Sequence, residues 1–530
     1  MDCVIRSSVE AFVAILVVLF GSIVVKLFRD LIWRPYAFHK AYAGQGIRGT
    51  PYRILAGSVP EYTELLREAH AQPMQNISHD IVPRITPEYH KWCQIYGEPF
   101  FYWYGIHSRL YISEPELIKE VLSNKFGHYD KPTPRPILLA LLGRGLVFAD
   151  GLRWVKHRRI VSPVFNVDKL KPMVKKMAAC TSSMLENWQE MMAQADSHGK
   201  EIDVHHDFRA LTADIISHTA FGSSYNEGKE VFELQRQLQE MAAKAEQSVF
   251  IPGSQYIPTR KNSHAWKIDR RVKEILNSII QSRLEPRTTT RAHVGYGSDL
   301  LGIMMTANQK ELGGSQRNLS MTIDEIMNEC KTFFFAGHDT TSNLLTWAVF
   351  LLSINPEWQE ILRKEVISVC GTDIPDADML SKMKSMTMVL NETLRLYPPA
   401  SKIIRKAYKA IKLGQFSLPK GAVLSFSILA MHHNEKFWGL DANLFKPERF
   451  AAGVSKAAIH PNAFFPFSLG PRNCVGQNFA MLEAKTVLAM ILQRLSFSLS
   501  PAYKHAPIAV LTLQPQYGMQ IIFKSIEVQT

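Results

Sequence analysis

The first strong hydrophobic pattern lies close to the N-terminus. From Ala11 to Phe28 the chain reads AFVAILVVLFGSIVVKLF, polar only at Ser22 and Lys26. A helix of that length just spans a bilayer at 1.5 Å per residue. Lys26 sits at its border, where a lysine stem can snorkel. Arg29, Arg34 and Lys40 follow, with Trp33 and Tyr36 at interface depth, whereas only Asp2, Arg6 and Glu10 precede. That asymmetry puts everything after residue 30 in the cytosol. No A-x-A-like cleavage site follows, so residues 1–30 are expected to stay as an anchor rather than be removed. With this topology the sequons at Asn76, Asn318 and Asn391 stay unglycosylated.

Residues 31–50 form a basic, glycine-bearing linker, and the pattern then changes period. FFYWYGIHSRLYIS, rich in aromatic and β-branched residues, predicts a hairpin turning at Gly105–Ser108. Helical periodicity dominates from Arg153 to Gln281, followed by two polar loops, SRLEPRTTTRAHVGYGSD and TANQKELGGSQRN. The longest helix runs from Thr322 to Leu352. Thr322 and Glu325 form its capping box, and Asn355–Pro356 stops it. A helix near Met386–Leu396 ends before Pro398–Pro399, IKLGQFSLPKGAVLSFSI predicts a second hairpin, and a last helix to about Leu495 precedes a β-like tail. No repeat and no long Gly/Ser or Pro-rich stretch divides the chain. Residues 51–530 therefore read as one unit, mainly α with small β-sheets.

Composition narrows the chemistry. With 46% hydrophobic and 21% charged residues, the 530-residue chain can build a substantial core. The net charge of +13 suits an anionic membrane or an acidic protein partner. Its basic residues are scattered and carry no nucleic-acid-binding signature, so nucleic acid is the poorest match. The six cysteines are far apart with no C-x-x-C pair, which is no disulfide framework. No two histidines stand at i,i+4, so a two-histidine helical zinc site is unsupported.

Several short motifs carry chemistry only in company. GQGIRG at Gly44–Gly49 matches a dinucleotide-binding fingerprint in letters, but lacks the strand before and the helix after. Glu392-x-x-Arg395 and Trp154-x-x-x-Arg158 each have ordinary doubles elsewhere in the chain. AGHDTT, Ala336–Thr341, sets glycine, an acid and two threonines inside the long apolar helix. That is either a packing kink or a site where something approaches the backbone. Phe467-x-x-Gly470-x-Arg472-x-Cys474-x-Gly476 is the specific signal. With average residue usage, a chance match in this chain is on the order of one in ten thousand. A lone cysteine is usually a small buried hydrophobe. Here it precedes a helix, follows an arginine by two residues and stands between glycines, as a metal-bound thiolate beneath a flat cofactor would.

In this order the motifs, with Pro447-Glu448-Arg449-Phe450, resemble the cytochrome P450 family of haem-thiolate monooxygenases over nearly the whole chain. The plant microsomal members of clan seventy-two are the most similar. The resemblance implies the cytochrome P450 fold, with its long central helix over haem b, behind a transmembrane anchor. It implies Cys474 as the axial iron ligand, its thiolate favouring O–O cleavage, with Phe467 packed beside it and Gly476 leaving room. Trp154, Arg158, Arg405 and Arg472 match positions that hold the haem propionates. Glu392, Arg395 and Arg449 match a buried ion-pair triad bracing the cysteine loop. Thr340 and Asp339 match the residues that manage oxygen and its protons, although many relatives carry Glu at the latter position.

The resemblance further implies an endoplasmic-reticulum enzyme, single-pass with a cytosolic catalytic domain, using O2 and an NADPH-dependent flavoprotein reductase. Its specificity segments map to Phe126–Leu142, residues 225–260, Phe333–Thr341, Ala400–Ile404 and Leu511–Gln514. These are mostly apolar here, which implies a lipophilic substrate. IPGSQYIPT and GVSKAAIHPNAF look most like members tied to fatty acids, with cytokinin, gibberellin, brassinosteroid and triterpenoid enzymes in the same clan. A reductase-independent haem-thiolate enzyme that rearranges hydroperoxides is the alternative, and a non-catalytic haem protein or a flavin enzyme the remaining ones.

Overall fold

The computed structural model describes residues 2–125, 127–194, 199–222, 225–284, 296–297, 299–309 and 320–526. The N-terminal helix, Asp2–Phe28, continues through a π-helical turn, Arg29–Trp33, into a helix over Arg34–Ala43. Among the described residues this is the one helix long and apolar enough to cross a membrane, and none of its apolar stretch is buried in the protein. Trp33 and Tyr36, 57% and 56% exposed, lie where the rod leaves its apolar part. The basic stretch after residue 30 is thus helical through Ala43. It is tied to the body by the Tyr52 hydroxyl, which donates to the Leu31 carbonyl (2.9 Å), and by the fully buried Tyr42, whose ring lies 5.2 Å from that of Phe101.

The largest sheet has six strands, in the order Arg48–Gly49, Phe100–Tyr104, His107–Tyr111, Val423–Ser427, Lys402–Ala407 and Tyr129–Asp130. Tyr104 pairs with His107, so the first hairpin turns at Gly105–Ile106, with Gly105 at φ 61°. The second expected hairpin divides. Ile411–Leu413 and Phe416–Leu418 pair with each other. Val423–Ser427, beyond Pro419–Lys420–Gly421, leaves to sit between two strands of the large sheet. Every residue of that strand is buried, as befits a central position covered on both faces.

The long helix spans Ile323–Ile354 and is closed at its start by the Thr322–Glu325 capping box. Its 32 residues make a rod of about 48 Å. Residues 341–353 are all buried, because the helix crosses the middle of the protein with neighbours on every side. The helix Val204–Ile216 lies along it. A Cβ on Gly337 would come within 2.7 Å of the Ile216 side chain, so what approaches the backbone at that glycine is a neighbouring helix. Phe334, from a predicted specificity segment, is fully buried with its ring 4.1 Å from Phe221, and is core rather than pocket wall.

The last helix, Gln477–Arg494, leads into Leu495–Leu499, which pairs with Gln520–Ser525, itself paired with Lys200–Asp203. A hairpin of Pro507–Val510 and Thr512–Pro515 projects to the long helix, with Leu511 at its tip in a left-handed conformation (φ 66°). Both polar loops expected after residue 281 fall largely outside the described residues, as do Phe126 and the sequon at Asn318.

Candidate active site

The loop before the last helix carries Cys474. Its backbone N–H donates to the Phe467 carbonyl (2.9 Å), which closes the loop on itself. Ser468 and Gly470 both have positive φ, 66° and 71°. A Cβ on Gly470 would lie 2.4 Å from the Leu122 carbonyl oxygen and 2.6 Å from Ser123 Cα. Backbone therefore meets backbone there, and only glycine fits. We expect Gly470→Ala to cost roughly 1–3 kcal/mol through strain and displacement of the loop. A lower melting temperature with reduced haem retention would register it, and unchanged values would show that the loop adapts freely.

Cys474 lies deep in the molecule, where burial pushes its thiol up despite the opposing pull of the Gly476 backbone and Arg158. Its side chain is nevertheless exposed, whereas Cys180, Cys330 and Cys370 are buried. A thiol deep in the fold yet accessible reaches into interior space, unlike the packed hydrophobe that a lone cysteine usually is. Gly476 immediately precedes the helix Gln477–Arg494, so the positive end of that helix lies beside the sulfur. A Cβ at Gly476 would meet nothing nearer than 3.9 Å.

Cations crowd the same region. Arg158, one turn after Trp154 on the helix Gly151–Val161, donates to the backbone carbonyl (2.8 Å) and side-chain oxygen (2.9 Å) of Asn473, next to the cysteine. Arg472 stacks over Trp154 (4.6 Å), pairs with Asp130 (2.5 Å) and donates to the Ala149 carbonyl (2.9 Å). Arg405, buried on the strand Lys402–Ala407, bonds its neighbour's carbonyl at Ile404 (2.9 Å) and pairs with no carboxylate of the described residues. Burial and then the like charge of Arg472 lower its pKa to about 10. Lys131 is lowered further, to about 7, by burial and then by Arg405 and Arg472. Burial and the neighbouring Asp130 raise the Asp150 carboxyl. Such a set of desolvated cations beside a reachable thiol fits a flat group that carries carboxylates and binds sulfur through a metal. Lys131, Asp130 and Asp150 escaped the sequence reading, because no local motif marks a residue that matters only where three distant segments meet.

Asp339 and Thr340 sit together on the long helix but face different ways. Asp339 is fully buried. Its Oδ2 accepts from the Thr512 hydroxyl (2.5 Å) and the Gln239 amide (3.1 Å), while Oδ1 lies 3.7 Å from Arg209 and has no hydrogen bond. Thr340, about 100° round the helix, is partly exposed and donates to the Ala336 carbonyl (2.8 Å). Gln239, Thr512 and Arg209 come from three separate elements; the first two lie in segments the resemblance marks for specificity, but nothing in the sequence joined any of the three to Asp339.

Glu392, Arg395 and Arg449 meet in the core. Arg395 and Glu392 are fully buried and joined by two bonds of 2.7 Å each. Arg395 also donates to the carbonyls of His432 (2.9 Å), Ala442 (2.6 Å) and Leu444 (3.0 Å). Arg449 stands 3.7 Å from Glu392 and pairs with Asp441 (2.9 Å). Arg395 reaches the cysteine loop through His432, whose ring accepts the Phe465 N–H (3.1 Å) and stacks on Phe464 (5.1 Å).

Comparison with known proteins agrees with this geometry. Residues 79–523 match the family model described as Cytochrome P450. Cytochrome P450 709B1 of Arabidopsis thaliana is 46% identical over 518 residues, covering 97% of this chain and 98% of the relative. Cytochrome P450 734A6 of Oryza sativa subsp. japonica is 44% identical over 510 residues, 95% of this chain and 94% of the relative. Cytochrome P450 72A397 of Kalopanax septemlobus is 44% identical over 493 residues, 93% of each. With a thiol that reaches inner space beside desolvated guanidiniums, and a family match over most of its length, this chain belongs to the cytochrome P450 family of haem-thiolate monooxygenases.

Proposed function

We propose that the protein hydroxylates a lipophilic small molecule with O2 and NADPH-derived electrons, and that a long-chain fatty acid is its substrate in preference to a hormone or terpenoid. The observation that carries the site is the deep but accessible Cys474 thiol, with Arg158 acting on it and the desolvated Arg405 and Arg472 beside each other in the same region. Bound through this thiolate, haem supplies oxygen activation, with sulfur donation favouring O–O cleavage. Trp154, Arg158, Arg405 and Arg472 would hold its carboxylates by charge-assisted hydrogen bonds. Phe467, whose carbonyl accepts from the Cys474 N–H, would flank the sulfur, and Gly476 would leave space for the ring. Glu392, Arg395 and Arg449 brace the loop through His432.

Thr340 and Asp339 handle protons. The Thr340 hydroxyl, resting on the Ala336 carbonyl, can turn to donate toward the reacting oxygen. Asp339 is held at one oxygen by Thr512 and Gln239, which keeps the other for exchange toward the partly exposed Arg209. In Thr340→Ala we expect product per NADPH to fall about tenfold or more, set against the roughly 10²–10⁴-fold that a placed proton donor typically contributes to rate. NADPH consumption should persist and hydrogen peroxide rise. Unchanged coupling would remove Thr340 from the role.

The helix Asp2–Phe28 and the cations after it support a single-pass anchor over residues 1–30, a linker over residues 31–50 and a cytosolic catalytic unit over residues 51–530 in the endoplasmic reticulum. The +13 charge supports docking to an acidic NADPH-dependent flavoprotein reductase. The half-buried Ile137, Leu138, Leu139 and Ile403 support a lipophilic ligand. Product mass in microsomes carrying this protein and a plant reductase is the test, on a panel of long-chain fatty acids, an isoprenoid cytokinin and a steroid. An NADPH-dependent gain of one oxygen on a fatty acid is expected. A gain only on the cytokinin or steroid would overturn the substrate, and hydroperoxide rearrangement without NADPH would overturn the reaction.

A further inference from the structure

Away from this site, Cys180, Asp214 and His218 offer a sulfur, a carboxylate oxygen and an imidazole nitrogen that all lie within 4.8 Å of one another. They come from two elements. Cys180 is buried on the helix Met173–Ala193. Asp214 lies near the end of the helix Val204–Ile216, and His218 lies one turn on, inside the π-helical turn Ser217–Phe221. Their i,i+4 spacing puts acid and imidazole on one face, with Asp214 Oδ1 3.3 Å from His218 Nε2. Lys176 fixes the turn by donating to the His218 carbonyl (2.8 Å).

The three line a cleft of about 450 Å³, together with Ser183, Trp188, Met191 and Asp207. Asp207 is engaged by the Trp188 indole (2.7 Å) and His206. Burial, then Asp214 and the more distant Glu483, keep the Cys180 thiol protonated in the absence of a cation. Lys176 turns its amine to the His218 backbone carbonyl. The cleft is therefore rich in negative charge and carries one soft and one borderline ligand.

We propose that Cys180, Asp214 and His218 bind a Zn2+ ion, with the open side of the cleft supplying water as the fourth ligand. The donor set excludes Mg2+ and Ca2+, which want oxygen, and suits Zn2+, which takes thiolate, imidazole and carboxylate in one tetrahedron. Tetrahedral zinc needs ligand atoms about 3.5 Å apart, so the trio closes by rotation of the half-exposed His218. Binding would release the Cys180 proton and clamp the helix Met173–Ala193 to the turn that ends the helix Val204–Ile216. That helix packs through Ile216 on Gly337 of the long helix.

The test is a Zn2+ titration of the full-length, haem-loaded enzyme in detergent against a colorimetric zinc indicator, after chelator treatment. Alkylation of Cys180 is followed in parallel by mass spectrometry. One Zn2+ per chain is expected, unaffected by excess Mg2+, with Cys180 shielded and the labelling of Cys93, hydrogen-bonded to Glu98 elsewhere in the fold, unchanged. Cys180→Ser and His218→Ala should each weaken Zn2+ by at least about tenfold, since even groups behind a ligand are worth that much, and leave the haem spectrum unchanged. Asp214→Asn replaces either variant that loses haem. No saturable binding, binding unchanged in the variants, displacement by Mg2+, or Zn2+ that leaves Cys180 alkylation unaltered would each overturn the site.

Discussion

Replacing Cys474 by serine should abolish substrate oxidation and the long-wavelength Soret band that a thiolate-ligated haem gives with carbon monoxide. Serine keeps nearly the same volume, but its hydroxyl does not ionise near neutral pH, and the anionic ligand is gone. The loss should exceed the roughly 10–100-fold that removing an outer-shell partner of a metal ligand costs, because the ligand itself is changed. The apoprotein fold should survive. The structural bond at this position, to the Phe467 carbonyl, is made by the backbone, and the exposed sulfur packs little. A substitution that breaks no structural bond and removes little packing should stay near the low end of the usual range, about 0.5–1 kcal/mol. Carbon monoxide difference spectra and apoprotein melting separate the two effects. A serine variant that kept the long-wavelength band would reassign the ligand.

Glu392→Gln and Arg395→Met should fail in the opposite way, losing stability first and activity as a consequence. Each leaves one member of a fully buried, doubly bonded ion pair without its partner, which costs about 3–5 kcal/mol. That is a large share of the 5–15 kcal/mol that typically holds a folded protein together. Arg395→Met adds a second deficit, because the carbonyls of His432, Ala442 and Leu444 lose their donor. Each such orphan costs about 1–3 kcal/mol. The double variant Glu392→Met/Arg395→Met should therefore recover little, although it removes both charges. Expression, melting temperature and haem content of the three variants test this. Rescue by the double variant would mean that the pair matters as charge alone, and wild-type melting of the single variants would remove the triad from the scaffold.

Much of this was legible along the chain because the signals are local. The N-terminal apolar helix needs only a run of residues 11–28 that is polar at two positions. The capping box at Thr322 and Glu325 needs four consecutive residues. The cysteine loop announces itself because a thiol, a left-handed glycine and a helix start follow one another within ten residues, Phe467–Gly476. The first hairpin was readable to within two residues at the end of its turn, since His107 and Ser108 belong to the second strand; alternation marks strands but leaves the pairing register to the turn geometry.

Contacts between distant segments were not legible. Val423–Ser427 has the pattern of a hairpin arm, yet becomes a central strand because two flanking strands cover it. Gly337 reads as a packing kink or as a place where something approaches the backbone until Ile216 is seen to fill it, and Phe334, in a specificity segment, reads as pocket wall until it stacks on Phe221. Asp339 is placed by Gln239 and Thr512, 100 and 173 residues away in the chain. The sequence alone determined the kinds of element, the long apolar N-terminal helix and which cysteine sits in the glycine-flanked loop, because propensity, capping and hydrophobic period act over a few residues. The tertiary structure alone decided which face of each helix meets a neighbour, which cations lie near the thiol and where Asp339 is held. Those outcomes depend on packing and desolvation, which exist only once remote segments share a low-dielectric interior.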